Sequence, residues 1–472
     1  MEQRRDDSTV RGSEDVGHVS VSRRRVVQGA AALGAGAFGM GAATRRRTAS
    51  ARQGSEFTRE ASITSWGFGV QETNPLAFAR VDAFEAAFPN IQLEVVEQNS
   101  DEKMLTAIAS DSMPDLLWLD RFATTSWASR GVLLPLTDFI ERDEYDTSRF
   151  YESALNEASY DGQIYGIPGG MDVQALYVNT DALAEIGVDP ASIDTANWDQ
   201  LSDIGTQLLV QNGDVVERWG FDHRMQGGFL HLWAGVNGGV FINEDGTEVT
   251  YDDPKIVEAL DWGVRTYDAQ GGFPLYEAVS GGWGPDEQVA RGQVGMSMYQ
   301  SWLLGVIARV NPAANFSVLP VKMRTGEGNL SIAGGRAWFI PADAPDPEAA
   351  WEFIKFMHSD ETWLTGANAV KAARQAEGAP YVPSLTGSTT ADQAQIDQVY
   401  EAVDPKFDQA VQLFPQLLQV SQPRSVYISP VGNTIDTILT EDGVKPALRG
   451  ERSAEESLQV ADQAAQDEIE FQ

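Results

Sequence analysis

The chain of 472 residues has no cysteine. That excludes disulfides, thiolate metal sites, iron–sulfur clusters and thiol catalysis, and it removes any cysteine able to carry a lipid. Histidine is nearly as scarce: His18, His223, His231 and His358 are scattered, with no His-x-His spacing for a metal. Basic residues are few, 34 Lys plus Arg against 69 Asp plus Glu, for a net charge of −35. Such a chain repels phosphate backbones and anionic lipid, so neither nucleic acid nor a membrane surface is an expected partner. No Gly-x-Ser-x-Gly elbow occurs, and no glycine-rich loop ends in Lys, so serine-nucleophile and phosphoryl chemistry lack support. Beyond residue 51 no run approaches the roughly 18 apolar residues of a membrane helix.

What is present fits a folded protein of two or three domains: 42% hydrophobic and 22% charged residues, with 12 Trp. Ser22-Arg23-Arg24-Arg25-Val26-Val27-Gln28 precedes an uncharged Ala/Gly-rich run, Gly29 to Ala43, and Ala49-Ser50-Ala51 has the small-x-small pattern of a cleavage site. Residues 1–51 read as a signal peptide of twin-arginine type, and export of a folded protein is expected. Removing them takes nine Arg and five acids and leaves 25 basic against 64 acidic residues, so the acidity belongs to the exported chain.

From Ile63 the pattern alternates strand, helix, strand, helix, strand, ending in Leu116-Leu117-Trp118-Leu119 between Asp115 and Asp120. This predicts an open α/β sheet, which binds ligands beyond the carboxyl ends of its strands. Trp66 and Asp120 sit at those ends. Asp161-Gly162 is a hairpin signal, and Gly169-Gly170 and Gly334-Gly335 break regular structure where the chain is expected to cross between domains. Helices are expected from Asp181, Trp198, Asp253-Pro254, Asp346-Pro347 and the capping box Ser453 to Glu456, while 367–392 reads as loop.

The order of several segments resembles the extracellular solute-binding proteins of ABC importers, the carbohydrate-type family that includes maltodextrin-binding proteins. The carrying segments begin with Phe84-Glu85-Ala86-Ala87-Phe88-Pro89-Asn90, Met113-Pro114-Asp115-Leu116-Leu117-Trp118 and Asp161-Gly162-Gln163-Ile164-Tyr165-Gly166-Ile167-Pro168. Leu176-Tyr177-Val178-Asn179-Thr180, Asn197-Trp198-Asp199, Arg291-Gly292-Gln293-Val294-Gly295-Met296 and Ala349-Ala350-Trp351-Glu352-Phe353 follow in the family's order. The resemblance implies a two-lobed α/β periplasmic-binding-protein fold with discontinuous lobes, 57–173 with 336–378 and 174–335 with 379–472. It implies a monomer that closes by hinge motion over a carbohydrate and delivers it to the permease transmembrane subunits, with no cofactor, no metal and no reaction performed.

On that resemblance Trp302, after the Gly-x-x-x-Met segment, matches a stacking tryptophan, although Gln300-Ser301 stands where Gly-Pro or Gly-Ser is usual. Asp172 resembles the family's polar cleft residue, and Tyr427 lies where its second lobe adds an aromatic. Trp233 is open between lobe core and cleft. Arg336 is open between a clamp for an anionic group and a structural ion pair. Two other classes remain: a secreted glycoside hydrolase, which needs just two carboxylates, and an exported scaffold without a small ligand.

Overall fold

The structure, a computed structural model, describes residues 57–471 apart from 72, 98, 99, 285 and 403. The expected signal peptide, residues 1–51, therefore lies outside the described residues. In the first α/β half, Ala61–Trp66 and Ile91–Val96 run parallel, bracketing a helix, Pro75–Ala87, that Asn74 caps by accepting the Ala77 N–H. Leu116–Asp120 adds a third parallel strand beside the first. Arg336–Phe339 then inserts antiparallel between Leu116–Asp120 and Gly166–Pro168, completing five strands. Both faces are apolar: Ile63, Phe84, Leu116 and Trp338 pack under one set of helices, and Met104, Leu117 and Phe339 under another. Leu116-Leu117 is fully buried because this strand is covered on both sides.

The second half is built on an eight-stranded mixed sheet, in which Asp172–Asn179 lies between Asn329–Gly334 and Val294–Gln300. Its core is rich in aromatics: Trp219, Phe221, Trp233, Trp262 and Tyr267 are all buried. The expected helix starts at Trp198, Pro254, Pro347 and Ala454 are present, each with its side-chain cap, and Ser453 and Glu456 form the capping box. The expected hairpin joins Ser159–Tyr160 to Gln163–Ile164, with Asp161 and Gly162 both at positive φ as a type I′ turn requires.

One expectation needs correction. Residues 360–376 form a 17-residue helix capped by Ser359, so the front of the supposed loop is helical; its Ala-rich composition favours that state. The segment after it, assigned to the second lobe, bonds to the first half. Thr389 N donates to Arg149 O, Tyr151 N to Gly387 O, and helix Thr389–Gln398 packs on Asp360–Ala376. Tyr381 and Val399 share a small core with Ala367, while Val382, Leu385 and Ile396 of the same segment pack against the core of the second half.

The chain crosses between the sheets at Gly169–Met171 and again at Gly335, and one side chain holds both crossings. Arg121, in the turn that follows Leu116–Asp120, is fully buried. Its guanidinium donates to Gly170 O at the first crossing and to Gly334 O, 2.6 Å, at the second, while Nε donates to Glu157 Oε2 at 2.8 Å. The Arg121 N–H also donates to Gly335 O, 2.9 Å. Gly335 is at φ +133°, and a Cβ there would stand 2.2 Å from Gly170 O and 2.7 Å from Arg121 Nη1. No side chain fits between the two crossings.

Two outcomes are expected. Gly335→Ala lowers unfolding free energy by about 1–3 kcal/mol, since strain and contact must both be relieved. Arg121→Met, which strands the Glu157 carboxylate in the interior, costs about 3–5 kcal/mol, and adding Glu157→Gln recovers part of it. Urea unfolding of these three variants and of Glu157→Gln alone checks this; additive losses for the double variant would disprove the pairing.

Candidate functional site

Between the halves, directly over the crossings, lies a cleft of about 510 Å³, a volume within the range of small-molecule sites. Five of the residues singled out in the sequence line it together: Asp120, Asp172, Trp302, Arg336 and Tyr427. Asp120 and Arg336 are register partners across antiparallel strands, and Arg336 Nε donates to Asp120 Oδ1 at 3.2 Å. The arginine is thus an ion-pair member on the rim, with both side chains nearly half exposed. Screening by water makes such a pair worth little to stability and leaves both groups reachable.

Trp302 is 43% exposed although large and apolar. It stands in the tight turn after Val294–Gln300, and the Gln300-Ser301 departure does not disturb that turn. Ser301 Oγ accepts the Val173 N–H at 3.3 Å, Ser301 N donates to Val173 O, and the buried Tyr177 hydroxyl donates to Gln300 O. Tyr299 meets the Trp302 ring edge-on at 5.2 Å, and its hydroxyl donates to Asp286. The backbone that carries the indole is thus fixed, and the ring, touched at its edge by Tyr299, remains substantially exposed.

Asp172 begins the strand Asp172–Asn179 just past the first crossing. Burial pushes its carboxyl up to about 6, with Arg121 pulling down, Glu157 and Asp120 pushing up, and Arg424 pulling down. Burial likewise raises Glu157, against the opposing pull of Arg121. Tyr427 stacks on Phe122 of the opposite half, ring centroids 4.6 Å apart and 19° from parallel. Its hydroxyl donates to Asp436 Oδ2 at 2.6 Å, which also accepts from Arg424 at 3.0 Å, while His231 Nε2 lies 2.7 Å from Asp436 Oδ1. Burial alone would raise Asp436, but bonds from His231, Arg424 and Tyr427 hold it well below the usual carboxylate range.

The other two sequence candidates lie elsewhere. Trp233 is a correction: it is fully buried, its indole N–H donates to His223 O at 3.0 Å, and Trp198, Trp262 and Phe221 surround it. The helix Leu230–Val236 turns this face into the aromatic core. Trp66 is at the expected strand end, but its ring is covered by the Lys103 ammonium at 3.7 Å and lines a separate hollow of about 370 Å³ with Ser100, Glu102 and Thr106. Conversely, sequence reading missed Trp118, Phe122, Glu157, Gln174, Gln300 and Arg424, all of which line the cleft. Trp118 sits in an apolar run, so nothing in the pattern separates its exposed edge from its buried neighbours. Gln174 carried a period-2 signal, since it shares its strand face with Asp172, whereas Gln300 is reached only through its register with Gln174.

Among the described residues, no three His, Asp or Glu converge to hold a metal ion, and no helix is long and apolar enough to cross a membrane.

Comparison with known proteins places this geometry. Residues 79–402 match the family model of bacterial extracellular solute-binding proteins. The chain is 21% identical over 310 residues to a lactose-binding protein of Rhizobium radiobacter, covering 63% of this chain and 71% of that one. It is 24% identical over 326 residues to an arabinooligosaccharide-binding protein of Bacillus subtilis (strain 168), covering 66% and 72%. In structure it is similar to an ABC substrate-binding protein of Listeria monocytogenes solved with cycloalternan, TM-score 0.72 at 22% identity over 88% of this chain and all of that one. A mannotriose-bound protein, CpMnBP1, gives TM-score 0.71 at 22% identity over 86% of this chain and 100% of its own. With a family model matched over more than half its length on a two-lobed α/β frame, the chain belongs to the bacterial extracellular solute-binding proteins.

Proposed function

We propose that this protein captures a sugar or oligosaccharide in the cleft between its lobes, closes over it by rotation about the crossings, and presents it to the permease transmembrane subunits of an ABC importer. The observation that carries the reading is Trp302: a 43% exposed indole lining a cleft whose other walls supply carboxylates, amides and arginines. A sugar ring offers a weakly polar C–H face to the indole and hydroxyls to such a rim. The named relatives are sugar-binding proteins, which supports the same ligand class. Asp120 is engaged by Arg336 and Glu157 by Arg121, an arrangement that serves fixed recognition better than paired acid–base chemistry.

The lobes in this reading are 57–171 with 336–399, and 172–335 with 404–471, the later boundary following the contacts of helix Thr389–Gln398 with the first half. Arg23-Arg24 before a weakly apolar run supports export by the twin-arginine route. The protein works as a monomer outside the cytoplasmic membrane; its lack of cysteine is consistent with a form carrying no lipid.

Two tryptophans separate this reading from a structural one. Trp302→Ala should weaken binding of the best sugar from a calorimetric screen about 30-fold, the worth of a central aromatic anchor, and Trp302→Phe should restore much of it. Trp233→Ala should instead lower stability by about 3–5 kcal/mol, with normal affinity in the protein that remains folded. Wild-type affinity in Trp302→Ala would sink the stacking role.

A further inference from the structure

Two parallel strands of the second sheet run out side by side. Val215–Asp222 and Val294–Gln300 pair with Asp222 opposite Ser297, and open α/β sheets place ligands beyond such strand ends. Trp302 follows one strand and Arg224 the other.

Arg224 is held in a conformation that costs energy. Its backbone is left-handed, φ +56° and ψ +33°, where a non-glycine residue persists only if its surroundings impose it. Here they do. Its N–H donates to Asp222 Oδ1 at 3.0 Å, and that fully buried carboxylate is itself fixed by the hydroxyls of Tyr267 at 2.7 Å and Tyr276 at 2.6 Å. The guanidinium lies over the buried Tyr299 ring, 4.1 Å from its centroid, and the same ring meets Trp302 edge-on. A Cβ on Gly227 would stand 3.7 Å from Arg224 Nε, and one on the next residue, Gly228, would stand 2.6 Å from Arg424 Nη2. Through one ring and one glycine pair, Arg224 therefore neighbours both Trp302 and Arg424, which line the cleft.

The guanidinium has no partner of its own. It forms no ion pair and no side-chain hydrogen bond among the described residues, in a chain with 69 acids against 34 bases. Its Nε is buried, whereas both Nη groups remain open. A guanidinium fixed in this way presents unused donors to whatever lies before it. Sugar units beyond the first supply hydroxyl and ring oxygens as acceptors.

Resting on the carbohydrate reading above, we infer that the ligand is an oligosaccharide and that Arg224 forms a second subsite: Trp302 covers one sugar ring while the Arg224 Nη groups donate to oxygens of the next. The site thereby reads chain length. A single sugar on Trp302 gains nothing from Arg224, whereas a longer one gains a hydrogen bond from a charged donor, of the kind that changes affinity by about 10-fold or more. Because Asp222 and Tyr299 fix the residue before binding, little of that gain is lost to ordering it.

Titration calorimetry at pH 7 would compare glucose, galactose, mannose and arabinose with the disaccharides and trisaccharides built from them, weak ligands being measured by displacement of tight ones. The expected result is a sugar whose di- or trisaccharide binds about 10-fold or more tighter than its single unit. Arg224→Met, which keeps an aliphatic stem on Tyr299, should remove that advantage and leave the affinity for the single unit within about 2-fold. Arg224→Gly guards against misfolding, since glycine takes φ +56° without strain; it should remain folded and lose the same advantage. A merely structural arginine predicts a lower melting temperature with the ratio of affinities unchanged. A single sugar that binds as tightly as its oligomers, or a chain-length advantage that survives both substitutions, overturns the subsite and leaves the carbohydrate reading standing. No binding by any sugar of the series overturns both.

Discussion

A single buried guanidinium organises the region on which the cleft depends. Arg121 draws its donors from the turn after one sheet and spends them on the carbonyls of both strands that leave for the other, with Glu157 neutralising it. A fork of five fixed donors can reach two backbones and a carboxylate at once, whereas a lysine ammonium cannot reproduce that planar geometry. The approach is so close that glycine is required at Gly335. Because both crossings are tied to one side chain, they form a joint of defined geometry, and residues flanking it (Asp120, Asp172, Arg336) inherit fixed positions. Affinity in such a cleft rests on groups already held in place before the ligand arrives.

Around that joint the electrostatics are divided by burial. Near the rim, Asp120 and Arg336 share water and are weakly coupled. Deeper, Asp436 accepts from Arg424, Tyr427 and the His231 ring, a node that fixes the second lobe's late segment against the cleft. Pairing of this kind does little for net stability but leaves few alternative arrangements for the side chains involved. Asp172 forms no ion pair among the described residues, and burial raises its pKa, with Arg121 pulling the other way.

Much of this was visible in the sequence where the signal was local. Caps at Asn197, Asp253, Asp346 and Ser453, the Asp161-Gly162 turn and the buried run Leu116–Leu119 each depend on neighbours within a few residues. Of the five suspected residues that line the cleft, Asp120 was legible at a strand end and Arg336 at a glycine break, whereas Trp302, Asp172 and Tyr427 were reached through the family resemblance. What escaped depends on distant pairing. Glu157 matters through Arg121, and Gln174 and Gln300 through the register of two strands more than a hundred residues apart. Trp233 was ambiguous because an aromatic on a short helix looks the same whether that helix faces a cleft or a core; three other aromatic rings decide it. Helix 360–376 was obscured by weak amphipathicity, its exposed alanines giving no apolar stripe to read.

The stack of Phe122 on Tyr427 joins the lobes through side chains rather than through the chain crossings, one ring from each side. Aromatic pairs of this kind contribute about 0.5–1.5 kcal/mol beyond the area they bury. To part, the lobes must first unstack these rings, so the pair acts as a catch between them. How long a captured molecule stays is then set partly by a contact between two protein side chains. Both rings also line the cleft, so residence time and chemical selectivity share residues, and a change at either ring alters both.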